Sequence, residues 1–268
     1  MTSTKTFWLS MVAALALAMT GCGDDDNGDG GSGGAAGMGG MGGGAPTGSV
    51  TAVHLAPEVP MAGMTDVTIY VNGEATDLVV AYGESTGRVE LPAGEEYAIG
   101  LGTADTELLT LDSFEMPEGA DLVAVAYRTN DELPVGVFVF DISTEGLADG
   151  NGRVFVGHGA NDSALDPVNI SLGGPTEDCS TLIPEFAFGT TTPAEGEDNL
   201  DLPEDSYAIG FDVAEDECPE VGPVDVPVTP GVTSILVAVD ENTTDGELAP
   251  QLWAIIDASD EPVALIGE

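Results

Sequence analysis

The residues best suited to chemistry are few. The chain has two histidines, His54 and His158, and they stand in matching contexts, "AVHLAP" and "VGHGAN". A neutral imidazole can ligate a metal or act as a general base. Zinc, however, takes three or four nitrogen or sulfur ligands, and neither histidine has a His/Cys cluster beside it to complete a site. The preferred reading is a histidine near a strand end that hydrogen-bonds into a loop. The 48 Asp and Glu residues are so numerous that pairs of them say little about acid/base catalysis. The densest groups, "EGEDNLDLPED" from Glu195 and "AEDECPE" from Ala214, could hold calcium, which takes six to eight oxygen ligands. Their alternation with Pro and Gly fits solvated loops better. Asp25, Asn27, Asp29 and Gly30 open like a calcium loop, but Ala36 stands where its bidentate Glu belongs. No G-x-S-x-G elbow, H-E-x-x-H pair or phosphate-cradling loop is present. The expectation is no catalytic residue, no metal site, no cofactor and no enzyme, with weak calcium binding as a minor alternative and an envelope hydrolase as a remoter one.

The three cysteines divide by context. The chain opens "MTSTKTFWLSMVAALALAMTGC", with Lys5, an apolar run from Phe7 to Met19 and small residues before Cys22. That run is short of the ~20 residues a bilayer needs but suits the core of a secretory signal peptide. "MTGC" resembles the lipobox of bacterial lipoproteins, with Met19 in place of the usual Leu. The resemblance implies cleavage after residue 21 and acylation of Cys22; an ordinary cleaved signal with an incidental Cys is the alternative. Two or more acyl chains anchor a protein stably, so the bilayer is the expected partner of Cys22. Gly23 lacks the Asp that retains some lipoproteins on the inner membrane, which favours the outer membrane or cell surface. Cys179 and Cys218 then form an even pair in an oxidising compartment, where a disulfide is expected in preference to two free thiols.

Between the anchor and the first apolar strand, residues 22–48 are Gly-rich and acidic, and such a stretch behaves as a flexible tether. Acidity pervades the whole chain, with four Lys and Arg in all and a formal net charge of -44. Binding to nucleic acid depends on basic residues, so that class of partner is excluded. Anionic lipid surfaces are excluded as electrostatic partners for the same reason.

The elements that must position these residues occur twice. "AVHLAP" is echoed by "VGHGAN", "DVTIYVNG" from Asp66 by "DPVNISLGG" from Asp166, and "AYG" at Ala81 by "AFG" at Ala187. "LPAGEEYAIG" from Leu91 is matched by "LPEDSYAIG" from Leu202, "LVAVAY" from Leu122 by "ILVAVD" from Ile235, and "FVFDIS" by "AIIDAS". Echoes in one order predict a duplicated unit, at 49–145 and 152–268. Val67, Ile69 and Val71 alternate with Thr68 and Tyr70, the period of a strand with one buried face. "DLVAVAYR", "GVFVFDI" and "TSILVAVD" are apolar runs too short for most helices. Turn residues separate such runs at intervals of roughly 8 to 12 residues. The expected fold class is all-β: two tandem immunoglobulin-like Greek-key sandwiches after a signal peptide and a Gly-rich tether.

Within that fold Tyr97 and Tyr207 have a structural role to fill. Each follows a Leu-Pro turn by five or six residues and opens an apolar stretch, which resembles the L-x-P-G-x-Y pattern of a tyrosine corner. The order of motifs around Val50–Ser143, namely His-x-x-P, D-V-x-I-Y-V-x-G, a Y-G turn, L-P-A-G…Y and L-V-A-V, is similar to that of the bacterial extracytoplasmic domain-of-unknown-function family 4397. The second copy departs from it at Asn161, where the family has Pro, and at Pro167 after Asp166. The resemblance implies secreted or surface-attached β-sandwich modules and no particular activity. The resulting expectation is a membrane-anchored envelope lipoprotein that acts as a binding, adhesion or structural module for an envelope or extracellular ligand. Calcium-dependent envelope structure is the alternative.

Overall fold

The computed structural model describes residues 45–58, 66–111, 113–129, 135–160, 166–173, 179–193, 200–212, 221–242, 248–256 and 263–264. The expected signal peptide, Cys22, all but the end of the tether, the loop-like motif at Asp25–Gly30 and Cys218 lie outside these residues.

The fold is all-β, and no helix occurs among the described residues. In the first half the strands are β1 (Thr47–Leu55), β2 (Asp66–Val71), β3 (Glu74–Ala81), β4 (Ser85–Pro92), β5 (Glu96–Tyr97), β6 (Ile99–Thr103), β7 (Thr106–Thr110), β8 (Phe114–Glu115), β9 (Asp121–Arg128) and β10 (Val135–Asp141). The second half contains β11 (Asn151–Gly159), β12 (Val168–Leu172), β13 (Ser180–Phe186), β14 (Leu200–Pro203), β15 (Asp205–Asp212), β16 (Val221–Val228), β17 (Thr233–Asn242), β18 (Leu248–Ile256) and β19 (Val263–Ala264). β1 starts inside the stretch read as tether, and β14 inside the acidic stretch read as loop.

The first half pairs its strands in the orders β10-β9-β1-β4 and β3-β2-β6-β7, with β5-β8 as a small ribbon; the second half uses β14-β11-β17-β18-β19 and β13-β12-β15-β16. Local chemistry sets some of this. The β2–β3 hairpin turns at Asn72 and Gly73, with φ of 53° and 80°, the left-handed pair that an Asn-Gly hairpin turn requires. A central parallel pair joins distant segments in each half, β1 with β9 and β11 with β17. An immunoglobulin sandwich has two antiparallel sheets, so this pair is a departure from the expected strand arrangement. Parallel neighbours need a long crossover, and the intervening strands of each half provide it.

Register shows how the halves correspond. His54 lies opposite Ala126 and His158 opposite Ala238; Ile69 lies opposite Leu101 and Ile170 opposite Phe211. Gly83 N donates to His54 O at 2.8 Å, and Gly189 N to His158 O at 2.7 Å. The late strands are offset by one from the sequence reading: Val123 corresponds to Ile235 and Phe138 to Trp253. A one-residue slip moves every side chain to the opposite face. These strands are apolar on both faces, so their composition alone left the slip invisible.

Three apolar layers separate the sheets. Val67, Ile69, Val80, Leu101 and Val135 lie in the first half, joined by Tyr97, Met116 and Leu122 at one end. The second half encloses Val154, Val156, Ile170, Phe186, Phe211, Leu236 and Leu252. The remaining layer unites both halves: Val53, Leu55, Val125, Tyr127, Phe138 and Phe140 pack with Phe155, Ile235, Val237, Trp253 and Ile255. Tyr127 stacks on Phe138 with centroids 4.0 Å apart, and Phe140 lies 5.6 Å from Phe155. Gly159 permits this approach, since a Cβ there would fall 2.8 Å from the Tyr127 ring.

Candidate ligand cavity

The alternation of β1 and β9 distributes bulk unevenly between their two faces. Val53, Leu55, Val123, Val125 and Tyr127 point toward the second half. The other face carries Ala52, His54, Ala124 and Ala126, which line a cavity of about 340 Å³ between the two sheets of the first half. Opposite them stand Val67, Ile69, Val80, Ile99 and Leu101. In the second half the same positions are bulkier. The register equates Ala52 with Val156, Ala124 with Leu236, Leu101 with Phe211 and Val80 with Phe186. Val156, Leu236, Phe186 and Phe211 are all buried in a packed core. The first half has the same frame with a smaller filling.

The cavity reaches solvent along an edge. Val137 and Val139 on the edge strand β10 line it and are 36% and 54% exposed. From that edge two cross-strand rows run inward, Val137–Ala126–His54 and Val139–Ala124–Ala52. The alanines keep both rows low, and the first row ends at the buried His54 on β1.

His54 is 3% exposed, and neither ring nitrogen has a hydrogen-bond partner. This differs from the expected loop contact: the backbone of His54 bonds to Glu84 O and Gly83 N, while its imidazole faces the apolar cavity and the Tyr82 ring, 6.1 Å away. Burial pushes its pKa down from 6.5 to about 4, with the nearby Asp66 charge partly opposing the shift. The ring is therefore neutral at physiological pH and offers one N–H donor and one nitrogen acceptor. A buried polar group without a partner costs free energy, and a ligand that satisfies it recovers that cost. His158 is fully buried in a different setting, among the rings of Phe211 (5.6 Å), Phe188 (6.1 Å) and Phe186 (6.3 Å).

The other singled-out residues lie elsewhere. Tyr97 Oη donates to Pro92 O and Tyr207 Oη to Pro203 O, both at 3.1 Å. Tyr97 is buried beside Met116 and Leu122, and burial, followed by the charge and hydrogen bond of Glu95, raises its pKa. Its hydroxyl ties β5 to the end of β4. Tyr97→Phe is expected to lower stability by about 1 kcal/mol, the typical worth of one such bond; an unchanged urea midpoint would show that the bond contributes nothing. Cys179 is disulfide-bonded, and Cys218, its expected partner, is outside the described residues. Asp201, in the acidic segment expected to be loop, pairs with Arg153 at 2.9 Å. Among the described residues no group of three or more His, Cys, Asp or Glu could hold a metal ion.

The sequence reading passed over Ala52, Ala124 and Leu101, because a small apolar residue in a strand carries no signal of its own. The signal was relative: "AVH" against "VGH" already sets Ala52 opposite Val156 in the repeat. No protein-family model matches the chain, and no curated protein matches it either.

Proposed function

We propose that the protein is a membrane-anchored envelope lipoprotein, a non-catalytic binding module that holds a small apolar ligand inside the first of two related sandwiches. The reading joins a sequence inference, acylation at Cys22 and a relation to the extracytoplasmic family 4397, to one structural observation. That observation is the cavity of about 340 Å³ with the unpartnered His54 at its inner wall. Small-molecule sites are concave, mostly apolar and carry a few placed polar groups, with volumes of roughly 300–1,000 Å³. The packed second core supports the same reading, because the same frame closes wherever its side chains are large enough. A net charge of -44 keeps such a module soluble and away from anionic surfaces.

Two measurements test the two parts. Cys22→Ala is expected to move the protein from the membrane to the soluble fraction; retention on the membrane would remove the lipid anchor. For the binding part, xenon dissolved in the buffer is expected to shift the methyl NMR signals of Ile69, Leu101 and Val137 while leaving those of Ile170 and Leu236 in place. Equal shifts in both sets, or none, would end the ligand reading.

A further inference from the structure

Resting on that binding reading, we infer that the cavity takes a neutral single-chain amphiphile of about ten carbons, whose hydroxyl or carbonyl group hydrogen-bonds to His54. Size, polarity and charge each narrow the class. At ~30 Å³ for each water-sized group, 340 Å³ accommodates about eleven non-hydrogen atoms. The shape favours a chain over a compact ring, because the alanine rows run from the β10 edge across β9 to β1. Two strand spacings cover ~10 Å, about the length of a partly coiled chain of that size.

A single polar group suffices, because the cavity wall is predominantly apolar. The neutral His54 ring supplies one donor and one acceptor, and a hydroxyl can satisfy either while a carbonyl satisfies the donor. An anionic head group is disfavoured on two counts. Among the described residues no Lys or Arg lines the cavity, so a buried carboxylate would lack a counter-charge, and the field of a chain with net charge -44 repels it on approach. A cationic head group would also lose its hydration against apolar walls, with one neutral nitrogen in exchange.

The experiment uses the complete mature chain with Cys22→Ser, which needs no detergent. The probes are 1-decanol and sodium decanoate at pH 7.5, followed by titration of the lining-methyl and His54 ring signals in NMR spectra. The expected result is saturable binding of 1-decanol with shifts at His54, and binding of decanoate at least tenfold weaker. His54→Leu should weaken 1-decanol about tenfold, the worth of one hydrogen bond made in a dry site. Ala52→Val combined with Ala124→Leu, which copies the second half, should abolish binding while the signals of the second half stay unchanged. Decanoate binding as tightly as 1-decanol, or full affinity in His54→Leu, would overturn the ligand class while xenon still enters. If xenon also fails to enter, the binding reading falls with it.

Discussion

Arg153→Ala is expected to lower the free energy of unfolding by about 3 kcal/mol, the lower end of what a broken buried ion pair costs. The Arg153 side chain is 6% exposed and that of Asp201 22%, and the partial exposure of the carboxylate keeps the figure from the top of that range. The guanidinium uses most of its donors. Nε and Nη2 donate to the two oxygens of Asp201 at 2.9 and 3.2 Å, Nη1 donates to Ser143 O at 2.7 Å, and Nη2 also donates to Glu145 O at 3.3 Å. Ser143 and Glu145 belong to the segment that leads from β10 to β11, so one side chain on β11 fastens that connection and β14 together. Alanine leaves two carbonyls and a carboxylate without these donors. Arg153→Lys should recover only part of the loss, because an ammonium is a point charge and cannot reproduce the fork. Urea unfolding of the two variants decides the matter. A change under about 0.5 kcal/mol for alanine, the range of an ordinary surface substitution, would show that the fork adds no stability.

Acidification supplies the second large effect. The His54 pKa lies at about 4 in the folded protein against 6.5 for the free side chain, so between these values the unfolded chain takes up a proton that the folded protein does not. Stability from this group is complete above about pH 6.5 and is lost as pH falls toward 4. At 1.36 kcal/mol per unit the full loss is about 3 kcal/mol. Many carboxylates titrate in the lower part of the same range, so the informative quantity is the difference between the protein and His54→Leu. The variant is expected to lack that fall between pH 6.5 and 4.5, and parallel stability curves for the two proteins would refute it. Asp66, the charged group that acts on His54, opposes the effect, so Asp66→Asn should steepen the fall.

In "DVTIYVN" the alternation and the Asn-Gly turn name β2 and its hairpin directly, but the single buried face they imply is not what forms: Thr68 and Tyr70 are buried along with Val67 and Ile69, the Tyr70 hydroxyl donating to Thr103 O at 2.7 Å. Position was also legible where a residue of unusual type marks the place: His54 and His158, or the "YAIG" segments, fall at equivalent register positions. β9 and β17 failed this test for a physical reason. A strand buried on both faces reads as a continuous apolar run, which is also the habit of parallel strands, and "LVAVAY" slides along "ILVAVD" without penalty in sequence. The cavity depends on that hidden register. Only when Ala124 is set against Leu236 rather than Val237 does the first half emerge as the one with too little bulk.

The layer shared by the two halves has a consequence for how such a chain can change over generations. Tyr127, Phe138 and Phe140 on one side and Phe155, Trp253 and Ile255 on the other belong to one buried layer. A gene that lost either half would encode a remnant with a broad oily flank, prone to clump. Either half could stand alone only after several of these large apolar side chains had been exchanged for polar ones.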